Sequence, residues 1–157
     1  MRKILFLFMV SCILVSGSAY AAEPEKKPMV DKKDEAKQLV SKGNQSFSAR
    51  RYDEAMTLYK QAIALAPDSV DANYNLGVVY GNKGMHDESI AAYNRVIAIN
   101  PRHAQAHNNL GSAYEKKGMA DKAHSEYEKA AAADPYLAPA LYNLGKSFLS
   151  KGSRDLA

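Results

Sequence analysis

The chain has 157 residues, with 21 Lys and Arg against 17 Asp and Glu, and a formal net charge of +4 at pH 7. The charges of the two signs are mixed along the sequence, whereas nucleic-acid-binding proteins usually show a clustered basic face, so no nucleic-acid partner is expected. The single cysteine, Cys12, excludes an intrachain disulfide.

Residues 1–21 have the layout of a secretory signal peptide: two basic residues, an apolar run over residues 4–15, and the small-residue site Ala19-Tyr20-Ala21. We expect cleavage before Ala22 and a mature chain that is periplasmic or secreted. The alternative is an uncleaved membrane anchor, although the apolar run is shorter than the roughly 20 residues that a spanning helix needs. After cleavage no stable membrane span is expected.

Residues 22–35 combine prolines with charges of both signs and show no apolar period. This composition predicts a short disordered leader.

From residue 36 the sequence repeats every 34 residues. In each repeat a helical apolar spacing is followed by a turn and by a second helical stretch that ends before a proline, which predicts two helices. In the second repeat these helices are predicted over residues 70–82 and 87–99. The repeats are 36–69, 70–103, 104–137 and a partial unit, 138–157, with Gly43, Gly77, Gly111 and Gly145 at the same place in each.

Two kinds of recurring residue predict how each helix pair packs and closes. The repeated glycine is expected to let the helix axes approach closely beside a tyrosine, which offsets the cost of a glycine within a helix. A second set of glycines, at 84, 118 and 152, is expected to end the first helices in the left-handed conformation. Arg50 occupies that place in the first unit, which predicts either a strained turn or a turn that closes differently. The repeated tyrosines are Tyr59, Tyr93 and Tyr127.

The pattern N-L-G-x-x-Y, followed by G, D-x-A/S, Y, A and P at period 34, resembles the tetratricopeptide repeat over residues 36–157. The resemblance implies an all-α, right-handed α-solenoid of antiparallel helix pairs, about three and a half units long. It implies that the first helices line a concave groove that binds a peptide or a segment of a partner protein. It implies no enzymatic activity, no catalytic residue and no cofactor.

The groove positions of that family, carried over to this chain, give a polar and aromatic lining. Asparagine recurs at the sixth position of three units, as Asn75, Asn109 and Asn143. These residues resemble the ladder with which long members of the family hold a peptide main chain. The alternative is that these amides are solvated or bond to neighbouring helices. The groove residues are predicted to be Asn44, Phe47, Tyr74, Asn75, Val78, Asn108, Asn109, Ser112, Tyr142, Asn143 and Lys146, and Gly81, Asn82 and Lys116 hold further groove positions.

Co-chaperone members of the family bind acidic peptide tails through a clamp of three cations and two asparagines. The corresponding residues here are Val40, Asn44, Asn75, Gln105 and Asn109. The asparagines match and the cations are missing. Because charge-assisted hydrogen bonds are about twice as strong as neutral ones, no such clamp is expected.

The histidines do not form a metal-ligand pattern. His103 precedes a helix and His107 takes a packing position, and no third ligand is near them in sequence. His86 and His124 are predicted at a helix end and on the surface.

The fourth unit has a first helix but no second helix after it. Leu144 and Phe148 would then form an exposed apolar patch, which is typical of an interaction surface. The patch predicts self-association, and the alternative explanation is a truncated gene product.

Together these features predict a non-catalytic adaptor that binds a protein or peptide in its groove, with a role in envelope complex assembly or secretion. The alternative function is an assembly or chaperone-like subunit that forms homo-oligomers, or docks, through the C-terminal half-repeat. The partner itself is not identified by the sequence.

Overall fold

The computed structural model describes residues 31–155, so the predicted signal peptide and most of the predicted leader lie outside the described residues. This part of the chain folds into seven α-helices without a strand, which confirms the all-α solenoid of helix pairs. The helices are α1 (Lys32–Ser48), α2 (Tyr52–Leu65), α3 (Val70–Asn82), α4 (His86–Ile99), α5 (Ala104–Lys116), α6 (Ala120–Ala133) and α7 (Ala138–Asp155).

The first helix begins earlier than the sequence pattern predicted. Asp31 is its N-cap, and its carboxylate accepts a hydrogen bond of 3.1 Å from the backbone N–H of Lys33. Asp34 and Glu35 lie in the first turn, where negative charge is favoured by the helix dipole. Residues 32–35, predicted as part of the disordered leader, are therefore helical.

The turns that close the first helices share one backbone geometry. Gly84 and Gly118 have φ of 74° and 73°, and Arg50 has φ of 58°, which is strained for a residue with a side chain. Gly152 was predicted to end α7 in the same way, and this prediction was wrong because α7 continues through it to Asp155. A glycine inside a helix costs only about 1 kcal/mol, so the neighbouring residues can carry the helix through it.

Within each complete pair, a glycine on the first helix lies against the ring of a buried tyrosine on the second. A Cβ atom added to Gly43, Gly77 or Gly111 would lie 2.5, 2.7 or 2.6 Å from the Cε1 atom of that ring. We call these rings the crossing tyrosines; they are Tyr59, Tyr93 and Tyr127, each at most 3% exposed. The predicted close crossing of the two helices is therefore present in all three pairs.

The curvature of the array follows from which helices touch. Successive first helices are in contact, α1 with α3, α3 with α5 and α5 with α7. Among the described helices, no second helix contacts the second helix of the next pair. A layer whose members touch is shorter than one whose members are separated, so the first helices lie on the inside of the curve.

None of the helices between residues 31 and 155 is both long enough and apolar enough to span a membrane.

Candidate functional site

Asparagine side chains connect the first helices along the inside of the curve. The amide nitrogen of Asn75 on α3 donates to the Oδ1 atom of Asn44 on α1 over 2.9 Å. Asn143 on α7 donates in the same way to Asn108 on α5 over 2.9 Å. Asn108 in turn donates to Asn109 over 3.2 Å. We call these five asparagines the amide row.

The middle of the amide row is tied to an aromatic side chain. Asn109 on α5 donates to the hydroxyl oxygen of Tyr74 on α3 over 3.0 Å. The Tyr74 ring stacks on His103, with 5.2 Å between the ring centroids. The contacts predicted as the alternative, bonds between neighbouring helices, therefore occur in this structure. An amide side chain has two donors and a carbonyl acceptor, so the four more exposed asparagines of the row keep donors for a ligand. Asn108 is only 7% exposed and serves the contacts between helices.

Three clefts lie between successive first helices, and each has a crossing tyrosine in its wall. The cleft between α1 and α3 has a volume of about 180 Å³ and includes Phe47 and Val78 in its lining. The cleft between α5 and α7 has a volume of about 280 Å³ and includes Glu115 and Lys146. The clefts therefore recur with the 34-residue repeat, but their chemistry differs.

The middle cleft lies between α3 and α5 and has a volume of about 330 Å³. Its apolar part is formed by Val78, Ala113 and the ring of Tyr93, and Gly81 adds no side chain to it. At the place that Gly81 holds in the repeat, the other units have Phe47, Glu115 and Leu149. We call this space the Gly81 cleft. Gly81 was placed in the groove by the family pattern but was not among the predicted binding residues.

The crossing tyrosines are neutral over a wide pH range. Burial raises the pKa of Tyr59, Tyr93 and Tyr127 to about 12 in each case. The hydroxyl of Tyr59 donates to Asn44 over 2.7 Å, and that of Tyr127 donates to Glu115 over 2.9 Å. These rings therefore supply polar hydroxyls to the groove without adding charge.

One ion pair crosses the third cleft. The ammonium group of Lys146 lies 2.8 Å from Glu115 Oε1, and its hydrogen bond is the main reason that the pKa of Glu115 is lowered. Both side chains are nearly half exposed, so the pair contributes little stability. It neutralises this end of the groove. Ser112, by contrast, lines the Gly81 cleft, and its hydroxyl donates to the backbone oxygen of Asn108.

Two histidines are buried side chains with polar partners. His107, 5% exposed, lies 2.7 Å from Glu126 Oε2 and 3.0 Å from the backbone oxygen of Pro101. His124 was predicted on the surface, and this prediction was wrong: the residue is 9% exposed. Its Nδ1 atom lies 2.7 Å from Ser147 Oγ. The ring is covered because α7 packs across α6, a contact that residue spacing within α6 does not reveal.

The outer side of α7 exposes large apolar residues. Leu141 and Phe148 are 47% and 53% exposed. A Cβ added at Gly145 would meet no atom within 4 Å, whereas the equivalent glycines face a crossing tyrosine. Leu144 is half-buried, and Phe148 makes an edge-on contact with His124, so the predicted patch is partly covered. We call Leu141, Gly145 and Phe148 the α7 face.

Tyr142 lies on a different side of α7. It is 72% exposed and one helical turn before Lys146, which reaches α5 across the groove. Tyr142 therefore belongs to the groove rather than to the α7 face.

Comparison with known proteins agrees with this architecture. A family model described as TPR repeat matches residues 43–84 and 82–118. A model described as tetratricopeptide repeat matches residues 104–137. No curated protein is similar enough in sequence to count as a match.

Several solved structures share the fold. The first TPR of Spaghetti (RPAP3) bound to the HSP90 peptide SRMEEVD has a TM-score of 0.74 and 22% identity, and the match covers 76% of this chain and 95% of that one. The Sgt2 TPR domain from Aspergillus fumigatus also has a TM-score of 0.74 and 22% identity, with 78% and 83% covered. MamA has a TM-score of 0.72 and 29% identity, with 76% and 70% covered.

The matched repeats run without a gap from residue 43 to residue 137, more than half of the chain. Helix pairing, crossing tyrosines and turn geometry repeat with the same period. The chain belongs to the tetratricopeptide repeat family.

Proposed function

We propose that this protein is a non-catalytic adaptor that holds an extended segment of a partner protein in the groove formed by α1, α3, α5 and α7. The observation that supports this most strongly is the amide row, which runs over all the first helices on the inside of the curve. A polypeptide main chain offers one donor and one acceptor per residue, and amide side chains match both.

The nature of the groove suggests a ligand without strong charge. Val40 is buried and Gln105 is neutral at two of the places where a carboxylate clamp would have cations. The RPAP3 domain is described with an acidic HSP90 peptide, whereas the Lys146–Glu115 pair neutralises one end of the groove in this chain. The ligand is therefore proposed to be bound through its main chain and through uncharged side chains.

We further propose that the adaptor works after export, in envelope complex assembly or secretion. The support is the arrangement of charge, apolar run and small residues over residues 1–21. N-terminal sequencing of the protein from a periplasmic or culture fraction should begin at Ala22. A chain that retains Met1 and pellets with membranes would instead indicate an uncleaved anchor.

A capture experiment tests the groove. The mature chain, residues 22–157, is used as bait in extract of the exporting cells, together with an Asn75→Ala/Asn109→Ala variant. Losing two amide contacts should weaken capture about tenfold or more, since each hydrogen bond is worth about 0.5–1.5 kcal/mol. The matched control removes two exposed amides from second helices, Gln61→Ala/Asn94→Ala, and should capture as the parent does. Equal loss in both variants, or in neither, would reject the groove as the binding site.

A second candidate function is assembly through the α7 face, and the exposure of Leu141 and Phe148 favours it. Light scattering on the mature chain should then show a dimer or a larger species, and Phe148→Glu should convert it to monomer. If the parent chain is a strict monomer that binds no apolar dye, this candidate is rejected. Neither result affects the groove experiment, because Phe148 is not on the groove side of α7.

A further inference from the structure

The Gly81 cleft has a feature that helix packing does not explain. Gly81 lies in the last turn of α3, where glycine costs at most the roughly 0.5–1 kcal/mol that it costs in the middle of a helix relative to alanine. At Gly77, one turn earlier, the ring of Tyr93 leaves no room for a Cβ. At Gly81 a Cβ would meet only Ser89 Oγ at 3.5 Å, an ordinary contact. Packing therefore does not require glycine at 81, and its effect is to keep the cleft open.

The chemistry of the cleft restricts what can enter it. Its lining combines Val78, Ala113 and Tyr93 with the small hydroxyl side chains of Ser89 and Ser112, and its volume of about 330 Å³ is at the low end for ligand pockets. That space suits one large side chain rather than a separate small molecule. The main chain next to such a side chain would meet Asn82 and Asn109, which border the same cleft.

The charges of the lining residues also favour an uncharged side chain in the cleft. The residues that line it include the exposed Lys116 and the imidazole of His86, and no carboxylate. A lysine or arginine side chain would therefore be desolvated beside a like charge and without a counter-ion, which is unfavourable. The neighbouring clefts offer less to an apolar group, because Phe47 occupies the corresponding place in the first and Glu115 in the third.

We propose that the Gly81 cleft determines the specificity of the groove by accepting one aliphatic or aromatic side chain of an extended, bound polypeptide segment. This inference rests on the proposed function, since it names the side chain that the groove selects. The occupant is a partner segment with an apolar residue at one position and no basic residue next to it.

The test uses random dodecapeptides displayed on phage and selected on the mature chain immobilised through its N-terminus. The selected peptides should share one position restricted to Leu, Ile, Met, Val or Phe, with Lys and Arg depleted beside it. A selected peptide, synthesised with a fluorophore, should lose tenfold or more in affinity when that residue becomes glycine. Gly81→Leu, which fills the cleft, should cause a similar loss with the parent peptide.

The glycine substitution in the peptide and Gly81→Leu in the protein remove the same contact. Combining them should therefore weaken binding little more than either alone. Gly81→Ala fills the cleft only in part, because it adds a single methyl group. It should fold at least as stably as the parent and weaken binding less than Gly81→Leu does. Circular dichroism and thermal unfolding check that each variant is folded.

The outcomes separate two failures. In the first, the selected peptides bind the Asn75→Ala/Asn109→Ala variant more weakly than the parent chain, which supports the groove. The same peptides, however, show no apolar position, or they bind Gly81→Leu within twofold of the parent. The cleft inference is then wrong, and the proposed adaptor function is retained. If no selected peptide depends on the asparagines, the proposed groove function fails, and the inference fails with it.

Discussion

Replacing Gly77 with alanine tests the helix crossing on which each repeat is built. The added Cβ would lie 2.7 Å from Cε1 and 2.9 Å from Cδ1 of the Tyr93 ring, which is 3% exposed and so enclosed by its neighbours. Overpacking of this kind costs about 1–3 kcal/mol. Alanine regains about 0.5–1 kcal/mol through its better helix propensity. We expect a net loss of up to about 2.5 kcal/mol in the free energy of unfolding.

The same substitution at Gly81 is the matched control, because it lies in the same helix and its Cβ would make an ordinary contact of 3.5 Å. Gly81 lies in the last turn of α3, so Gly81→Ala should raise stability by at most about 0.5–1 kcal/mol. Because alanine gains less helix propensity at position 81 than at position 77, the difference between the two variants is a lower limit to the steric cost of about 1–3 kcal/mol. Urea unfolding followed by circular dichroism gives both midpoints. If both alanines stabilise the chain equally, the close crossing is not a packing constraint.

Three further predictions concern the turns, the buried rings and the buried histidine. Arg50→Gly should stabilise the chain by up to about 1 kcal/mol in urea unfolding, because glycine adopts the left-handed conformation without strain; a loss of stability would contradict this. The crossing tyrosines have pKa values raised to about 12, so their contribution to stability should be complete below pH 10 and lost as the pH rises toward 12. Absorbance titration in that interval should show at least three fewer ionised tyrosines in the folded chain than in the urea-unfolded chain, and equal ionisation would refute the burial. Glu126→Ala should cost about 1–3 kcal/mol, because it leaves the buried His107 without its carboxylate partner. The control Glu88→Ala removes an exposed carboxylate and should change stability by about 0.5 kcal/mol or less.

The helix pairs could be predicted from the sequence because their determinants lie within one repeat. Helical spacing, a glycine that needs positive φ and a proline after the second helix act over a few residues, so α3 spans the predicted residues 70–82. The pairing of Gly77 with Tyr93 could also be predicted, since each residue recurs at the repeat period.

Features that depend on contacts between repeats could not be predicted in the same way. The burial of His124 requires α7 to cross α6. A glycine inside a helix costs only about 1 kcal/mol, so Gly152 alone does not decide where α7 ends. The bonds of the amide row that link different helices join residues about one repeat apart, and the pattern alone left open whether those amides are solvated or paired. The Gly81 cleft could not be predicted from the sequence pattern, because the lack of a side chain at one position produces no periodic signal. The cue in the sequence is the second glycine in α3.

The central claim is that a partner segment lies inside the curve formed by the first helices. The most direct measurement is photo-crosslinking in the exporting cells with benzoylphenylalanine placed at three exposed positions: Tyr142 in the groove, Leu141 on the α7 face, and Tyr136 in the α6–α7 connection, which is 92% exposed. The account predicts that a partner crosslinks to position 142 and not to position 136, and that Asn75→Ala/Asn109→Ala abolishes the adduct. Crosslinks confined to position 141, or equal at all three positions, would contradict it.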